Sequence, residues 1–260
     1  MPHISPKTII ILGGSGFLGR HICELGSSLG HKMISLSRSG GPDTSCAANA
    51  VEWRKFDIFD AMPDSCVNVD QLDAGVKDIF SNADAVIHSM GILFEPSFFD
   101  YKKILNCNAS QLTSTKDTYE LINRDSALKL AMLAYQFPSI KTFAFVSACH
   151  ASFPFIPARY LSAKIEAEKG VSSLDRFRTL IFRPGMISSP DRPITAVASS
   201  LSTLFRSIPI LPDMCPSWAK AEPLPATAVA KAIICAIDAD GTTPSTEIFE
   251  IDDIKQDVGH

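Results

Sequence analysis

The chain has 260 residues, 46% of them hydrophobic, and a formal net charge of -4 at pH 7. This length and this apolar content suit one large α/β domain with a sizeable core. The acidic balance argues against nucleic acid as the main partner, and no run of about 18 apolar residues is present that would span a membrane.

Seven cysteines are scattered along the chain without a C-x-x-C pair. This pattern indicates reduced thiols rather than a disulfide framework or a zinc site, so we predict no metal centre. The first predicted strand begins at Thr8, which leaves residues 1–7 for a targeting signal, fewer than an ordinary presequence has. The residues alone therefore predict a soluble protein of the cytosol or of an organelle matrix.

The strongest motif lies at the start of the chain. Residues 8–12 form an apolar, β-branched run that is typical of a strand buried on both faces. A G-x-x-G-x-x-G turn follows and opens a helix, so the backbone can approach a pyrophosphate and the helix dipole faces the phosphates. The alternative is a plain strand–helix turn. We predict a dinucleotide site whose contacts come from the turn and the first helical residues, namely Gly13, Ser15, Gly16, Phe17, Leu18 and Gly19.

We expect the residues at the end of the second strand to select between NAD(H) and NADP(H). That strand is predicted at residues 31–36, and Arg38 follows it between two serines. An acidic residue there would bond the ribose 2′-OH of NAD, whereas an arginine with hydroxyl neighbours suits a 2′-phosphate. The sequence therefore favours NADP(H) over NAD(H), and the alternative is that Arg38 is a solvated strand-end charge.

The third and fourth strands end in further candidates. Asp57 and Ile58 close a strand predicted over residues 51–58 and are candidates to border the adenine, although Asp57 is equally an ordinary turn acid. His88 stands within the apolar run of residues 83–91. We interpret it as a core histidine rather than a catalytic one.

Two polar candidates come from the second half of the predicted sheet. Asn123 lies in a helix predicted over residues 119–137, where it can bond backbone or water near the site. Ser147 ends a fifth strand, residues 141–147. Ligands of doubly wound sheets gather at the carboxyl ends of the strands, which makes Ser147 a candidate contact.

Tyr160 and Lys164 are four residues apart in a predicted helix, so they share one helical face. A free tyrosine has a pKa of about 10, and a neighbouring ammonium lowers that pKa by favouring the phenolate. Such a phenol can act as general acid to a carbonyl that is being reduced. A Y-x-x-x-K pair is weak evidence alone, but its position after the fifth strand makes it more specific.

The last part of the chain completes the sheet and supplies a cover. A sixth strand, residues 178–182, runs into an Arg-Pro-Gly motif. The proline-rich residues 186–225 are predicted to form a substrate lid. Their apolar stretch 194–205 either contacts lipid or an isoprenoid tail, or packs in the core.

Aromatic residues in the insert 92–118 either line a substrate mouth or cover the sheet.

The glycine turn, the Tyr160/Lys164 pair and the Arg-Pro-Gly motif occur in this order in the short-chain dehydrogenase/reductase superfamily. The chain resembles the extended or atypical branch of that superfamily over nearly its whole length. The resemblance implies an α/β, doubly wound parallel-sheet Rossmann fold, with residues 1–260 as a single NAD(P)-binding domain. Residues 159–169 are most similar to the group that holds the Rossmann-fold accessory subunit of respiratory complex I and a mitochondrial coenzyme Q biosynthesis protein.

The resemblance also implies roles for individual residues. Tyr160 would be the acid/base, Lys164 its pKa partner and a ribose ligand, Asn123 a proton-relay residue and Pro184 a cofactor contact. Family enzymes usually carry two or three serines or threonines after the fifth strand, whereas this chain has a Ser-Ala-Cys run that starts at Ser147. A thiol is only a weak donor, so Ser147 is the candidate that polarises the carbonyl, and the departure puts catalysis in doubt.

Two functions follow from these expectations. The first is an NADP(H)-dependent reductase of a carbonyl or quinone-related substrate, acting with the coenzyme Q biosynthesis machinery on the matrix side of the mitochondrial inner membrane, with peripheral membrane contact. The second is a non-catalytic nucleotide-binding assembly subunit of a mitochondrial complex. A nucleotide-sugar epimerase also uses a Tyr/Lys pair, but we expect a larger and more polar carboxyl-terminal domain in such an enzyme. The alternative is a cytoplasmic location.

Overall fold

The computed structural model describes residues 5–41, 50–62, 70, 72–92, 118–149, 156–188, 223–239, 241 and 243–256. The predicted lid helix at 194–205 and most of the aromatic insert lie outside these residues. No helix in the described ranges is long and apolar enough to cross a membrane. Within the same ranges, no group of histidine, cysteine and acidic side chains is arranged to hold a metal ion.

The strands form one large sheet and one short pair. The large sheet contains β1 (Thr8–Leu12), β2 (Lys32–Ser37), β3 (Val51–Lys55), β4 (Ala85–His88), β5 (Thr142–Val146), β6 (Arg178–Phe182) and β9 (Ser245–Phe249), and the pair consists of β7 (Ile187–Ser188) and β8 (Leu224–Pro225). All neighbours in the large sheet are parallel, in the order β3-β2-β1-β4-β5-β6-β9. This arrangement confirms the predicted doubly wound α/β fold.

Helices cover both faces of the sheet. They are α1 (Phe17–Ser28), α2 (Ile58–Ala61), α3 (Ala74–Ser81), α4 (Ser126–Tyr135), α5 (Ala158–Ser172), α6 (Ala226–Asp238) and α7 (Ile251–Gln256), and a π-helical segment (Glu120–Asp125) runs directly into α4. One core packs α1 and α6 against the sheet, and the other packs α3, α4 and α5 against its opposite face. The central strands are apolar in succession because both of their faces are buried.

The strand order reverses at β1, which pairs with β2 on one side and with β4 on the other. Leu12 at the end of β1 lies level with Leu36 and His88 in these two ladders. Loops that leave the carboxyl ends of these strands therefore diverge to opposite sides. In doubly wound sheets this crevice is where ligands bind.

Several element boundaries differ from the predicted ones. The third strand ends at Lys55 instead of Ile58, because the Asp57 side chain accepts a hydrogen bond from the Phe59 N–H (2.9 Å) and caps α2. The last strand, which the sequence predicts at residues 247–251, covers Ser245–Phe249, because Ile251 already begins α7. The flanks of the predicted lid meet as the pair β7 and β8; residues 189–222 between them lie outside the described residues.

Candidate functional site

The glycine turn after β1 is built from backbone in close contact with its surroundings. Gly13 adopts φ +90°, a conformation that L side chains rarely adopt. Its N–H donates to the Leu36 C=O (2.8 Å), and its C=O accepts from the Gly16 N–H (3.0 Å). A Cβ on Gly13 would lie 2.9 Å from the Met90 Cγ and 3.0 Å from the Met90 N. The turn therefore has no room for a side chain at this position.

Gly19 brings α1 close to the turn, and Gly14 brings the turn close to β2. A Cβ on Gly19 would collide with the Gly13 carbonyl oxygen and lie 2.7 Å from the Gly14 Cα. A Cβ on Gly14 would collide with the Ser35 hydroxyl and lie 2.8 Å from the Ser35 Cβ. Helix and turn thus touch backbone to backbone, as the sequence pattern predicts.

The amino end of α1 is open to an anion. Gly16 caps the helix in an extended conformation and has no side chain to bond the first N–H groups, and no acidic residue lies in the first turn. The partial positive charge of the helix end is therefore not neutralised within the helix. Ser15 and Phe17 are half-buried beside it, whereas the Leu18 side chain packs in the core, so only the backbone of Leu18 belongs to the site.

The exits of β2 and β3 lie beside this turn. Arg38 is exposed directly after β2, and the Ser15 and Ser39 hydroxyl oxygens are 3.5 Å apart. The side chain of Asp57 caps α2, which agrees with its interpretation as an ordinary turn acid. Ile58 is buried. Its side chain therefore packs in the core, and a contact of residue 58 with the adenine stays a prediction.

Lys164 lies on the other side of the crevice. Its side chain is buried, and Nζ donates to the C=O of Val146 (2.8 Å) and, more weakly, of Met90 (3.4 Å). Nζ also lies 4.8 Å from the centre of the Phe145 ring. Burial lowers the pKa of Lys164 to about 7, although the carboxylate of Glu168 favours the charged form.

Asn123, on the π-helical segment, clamps the loop that follows β4. Its Nδ2 donates to the Ile92 C=O (3.1 Å), and its Oδ1 accepts from the Ile92 N–H (3.2 Å). This agrees with the expectation that Asn123 bonds backbone near the site. A Cβ on Gly91 would lie 3.2 Å from the Asn123 Oδ1 and 3.5 Å from the Lys164 Nζ. The structure therefore brings Asn123 and Lys164 together at Gly91.

Tyr160 is half-buried near the start of α5 and packs its ring edge-on against Tyr119, with centroids 6.2 Å apart. Burial raises the pKa of Tyr160 to about 12. The expectation that Lys164 lowers this pKa is therefore wrong for this structure. The physical reason is that the lysine amino group donates to backbone carbonyls, while burial disfavours the phenolate.

Ser147 directly follows the strand residue whose carbonyl holds Lys164. It is buried, its N–H donates to the Phe182 C=O (2.8 Å), and its hydroxyl has no hydrogen-bond partner in the part of the chain that the structure describes. The Cys149 N–H donates to the C=O of the buried Pro184 (3.0 Å), which joins the exits of β5 and β6. Ser147 therefore offers an unused buried hydroxyl at the predicted edge of the sheet.

His88 lies in the core rather than in the crevice. It is fully buried, with Nε2 2.8 Å from the Ser126 Oγ, and Ser126 itself donates to the Ile122 C=O. Nε2 therefore carries the hydrogen. Burial, and secondarily the charge of Lys164, holds the pKa of His88 well below its usual range, so it is neutral at pH 7. This arrangement agrees with its interpretation as a core histidine.

Sequence reasoning missed two residues of this region. Met90 packs against the glycine turn and accepts from Lys164, but nothing in its immediate sequence distinguishes it from a strand-end apolar residue. Glu168 follows Lys164 by four residues and is buried, and this helical spacing was available as a signal.

Comparison with known proteins defines the family. Residues 9–151 match the model of the NAD dependent epimerase/dehydratase family. The chain belongs to this family, and the resemblance to the extended short-chain dehydrogenase/reductases is thereby confirmed. Family and fold together support the binding of a nucleotide cofactor.

Curated relatives and many solved structures are similar to the chain. MIOREX complex component 2 of Saccharomyces cerevisiae is 30% identical over an alignment of 237 residues, which covers 77% of this chain and 80% of that protein. An uncharacterised chloroplastic protein of Arabidopsis thaliana is 35% identical over 57 residues, which are 22% of this chain and 19% of that protein.

The solved structures show the fold. WbmF of Bordetella bronchiseptica in complex with NAD+ is 17% identical, with a TM-score of 0.59 over 95% of this chain and 73% of that chain. MoeE5 in complex with UDP-glucuronic acid and NAD is 14% identical, with a TM-score of 0.58 over 94% of this chain and 76% of that chain.

The backbone contact at Gly19 generates a stability prediction. We expect Gly19→Ala to lower the free energy of unfolding by about 3 kcal/mol, because the new Cβ overlaps backbone that cannot rotate away. Gly26→Ala is the matched control, since it lies in the same helix but its Cβ would meet the flexible end of Met33. Urea denaturation of both variants measures the difference. An equal loss of unfolding free energy in the two variants would contradict the proposed effect of the backbone contact at Gly19.

Proposed function

We propose that the chain binds NADP(H) across the crevice between the exits of β1, β2 and β4 and acts as a reductase of a carbonyl or quinone-related substrate. The observation that carries the proposal is the glycine turn, where a Cβ is excluded at Gly13, Gly14 and Gly19 by neighbouring atoms. Such a turn, followed by an uncapped helix end, fits a pyrophosphate, because it presents N–H groups with no side chain in the way.

The preference for NADP(H) over NAD(H) rests on the end of β2. Arg38 and Ser39 stand where an acidic residue would bond the 2′-OH of NAD, and Ser15 approaches Ser39 from the glycine turn. A guanidinium with hydroxyl neighbours suits a phosphate group, whereas a carboxylate at the same position would repel it.

Lys164 is proposed as the ribose ligand. An ammonium has three donors, and two of those of Lys164 go to the carbonyls of Met90 and Val146, which leaves one to face the crevice. Asn123 stabilises the loop next to Lys164, because it hydrogen-bonds the backbone of Ile92. Its role as a proton relay is implied by the family resemblance.

Tyr160 and Ser147 are proposed to handle the substrate oxygen. A bound nicotinamide supplies the hydride in such a reaction. Tyr160 is fully protonated at neutral pH, so its hydroxyl can donate a hydrogen bond and give up its proton as negative charge develops on the oxygen. The unpartnered Ser147 hydroxyl can donate to the same oxygen. Pro184, joined to Cys149 by a hydrogen bond, would contact the cofactor from the β6 side.

The cellular setting is proposed from the resemblance to the coenzyme Q group. We place the protein in mitochondria, peripheral to the matrix side of the inner membrane and with the ubiquinone biosynthesis machinery. The substrate class proposed for this setting is a quinone precursor or an isoprenoid-bearing compound. The yeast relative is named as a component of a complex, which is compatible with a protein partner.

A second candidate is a nucleotide-binding assembly subunit without turnover. It is favoured by the Ser-Ala-Cys run at Ser147 and by the name of the yeast relative. A bound nucleotide would stabilise the native state by mass action without any chemistry. Nucleotide-sugar epimerisation is a third candidate, because that reaction also uses a Tyr/Lys pair such as Tyr160 and Lys164.

Cofactor choice is tested at Arg38. We expect Arg38→Gln to weaken NADPH binding by about 10-fold to 100-fold, because a charge-assisted contact to the 2′-phosphate is lost, and to leave NADH binding nearly unchanged. Lys141→Gln is the control, since it removes an exposed positive charge at the opposite edge of the sheet. Calorimetric titration with both nucleotides gives the affinities. Equal losses for NADPH and NADH would count against the 2′-phosphate contact.

Catalysis is tested at Tyr160. We expect Tyr160→Phe to retain NADPH binding but to lower the rate of NADPH oxidation with quinone precursors by about 10² to 10⁴, because the proton donor is removed. Tyr119→Phe removes a hydroxyl from the neighbouring ring and should keep the rate. Tight nucleotide binding with no oxidation by the wild-type protein would instead favour the assembly subunit.

A further inference from the structure

A buried carboxylate lies one helical turn beyond Lys164 and has no part in the proposed reaction. Glu168 is only 5% exposed. Arg183 holds both of its oxygens, with Nε 3.1 Å from Oε1 and Nη2 2.6 Å from Oε2. This bidentate geometry fixes the position of the carboxylate more firmly than a single contact would.

The ion pair continues to the corner between β9 and α7. Arg183 Nη1 donates to Glu250 Oε1 (2.7 Å), and the Glu250 side chain is 50% exposed. The Arg183 N–H also donates to the Phe249 C=O (2.9 Å), which anchors the residue that precedes Pro184. The guanidinium is thus held by two carboxylates, of which Glu168 is the inner one, while the Arg183 backbone is held by β9.

Burying ionised groups is costly, and a buried ion pair is weak evidence for stability. This cost points to a function for Glu168 in its effect on Lys164, one helical turn earlier on α5. Lys164 is 2% exposed and loses much of its hydration, which favours the neutral amine. Glu168 lies on the same face of α5 and opposes this effect, since its negative charge favours the ammonium.

The other groups around Lys164 do not supply such a charge. His88 on β4 is neutral, Tyr160 on α5 is protonated, and Asn123 on the π-helical segment is uncharged. The carbonyls of Met90 and Val146 accept hydrogen bonds but carry no net charge. Among the described residues around Lys164, Glu168 is the acidic group that acts on it.

We propose that Glu168 is a positioning residue that keeps Lys164 in the ammonium form required for ribose binding, with Arg183 holding the carboxylate in place. This inference rests on the proposed role of Lys164 in binding NADP(H). It adds a function to the Arg-Pro-Gly motif, whose arginine then acts on the nucleotide site through Glu168.

The proposal has a pH signature. If the ammonium binds the ribose, the affinity for NADPH is highest below the pKa of Lys164 in the free protein, which is about 7. Above this pH the dissociation constant rises by about tenfold per pH unit, because binding then takes up a proton. Removal of the Glu168 charge lowers the pKa of Lys164, so the rise begins at a more acidic pH.

The test is the dissociation constant of NADPH between about pH 5 and pH 9, measured by nucleotide fluorescence on the full chain. For Glu168→Gln we expect the midpoint to move about one pH unit toward acid. Binding is then about tenfold weaker above the wild-type midpoint and unchanged below both midpoints. Glu250→Gln is the matched control, since it removes the exposed carboxylate on the same guanidinium and should leave the midpoint in place.

A purely structural role for Glu168 would weaken binding equally at every pH, and that result, or an unchanged midpoint, would overturn the inference. If Glu168→Gln does not fold, Arg183→Gln provides a second test. It removes the group that holds the carboxylate in place, and a buried carboxyl without its cation favours the neutral form, so the midpoint should again move toward acid pH. An unchanged or alkaline-shifted midpoint would refute the proposal.

Lys164→Met separates the inference from the proposed function. It should abolish the rise of the NADPH dissociation constant above about pH 7, whereas the 2′-phosphate of NADPH, with a pKa of about 6, still affects binding at acid pH. Loss of that rise in Lys164→Met together with an unmoved midpoint in Glu168→Gln would remove the inference alone. Absence of NADPH binding by the wild-type protein would remove the proposed function, and the inference with it.

Discussion

The contact between the backbone of Gly19 and that of Gly13 and Gly14 is the constraint on which the rest of the site depends. It sets the distance of α1 from β1, and that distance aims the uncapped helix end at the crevice where the strand order reverses. A larger residue at either end of this contact would push the helix away and turn its N–H groups from the crevice. The dipole of α1 and the open backbone of the turn are useful to a phosphate only in this geometry.

On the side opposite the glycine turn, the site consists of buried polar groups, and the free-energy cost of removing them from water must be offset. Lys164 is held by the carbonyls of Val146 on β5 and of Met90 in the loop after β4. Next to it, Glu168 and Arg183 form an ion pair toward the outer edge of the sheet. Met90 connects the two halves, since it packs on Gly13 and accepts from Lys164. The short loop after β4 thus contacts both halves of the site.

The parts of the fold that depend on local sequence could be predicted. The apolar run of β1 and the spacing of its glycines act within fewer than twenty residues, and β6 is found over the predicted residues 178–182. Where two local signals competed, prediction failed: the alternation toward Ile58 lost to the capping side chain of Asp57. The lowered pKa of Lys164, the raised pKa of Tyr160 and the Glu168–Arg183 pair were not predictable, because they arise from burial and from contacts between separate elements.

The central claim is that a dinucleotide lies across the amino end of α1. Isothermal titration of the purified chain with NADPH, and separately with NADH, tests it most directly. The account predicts saturable heat with one nucleotide bound per chain and tighter binding of NADPH. No heat from either nucleotide would contradict it.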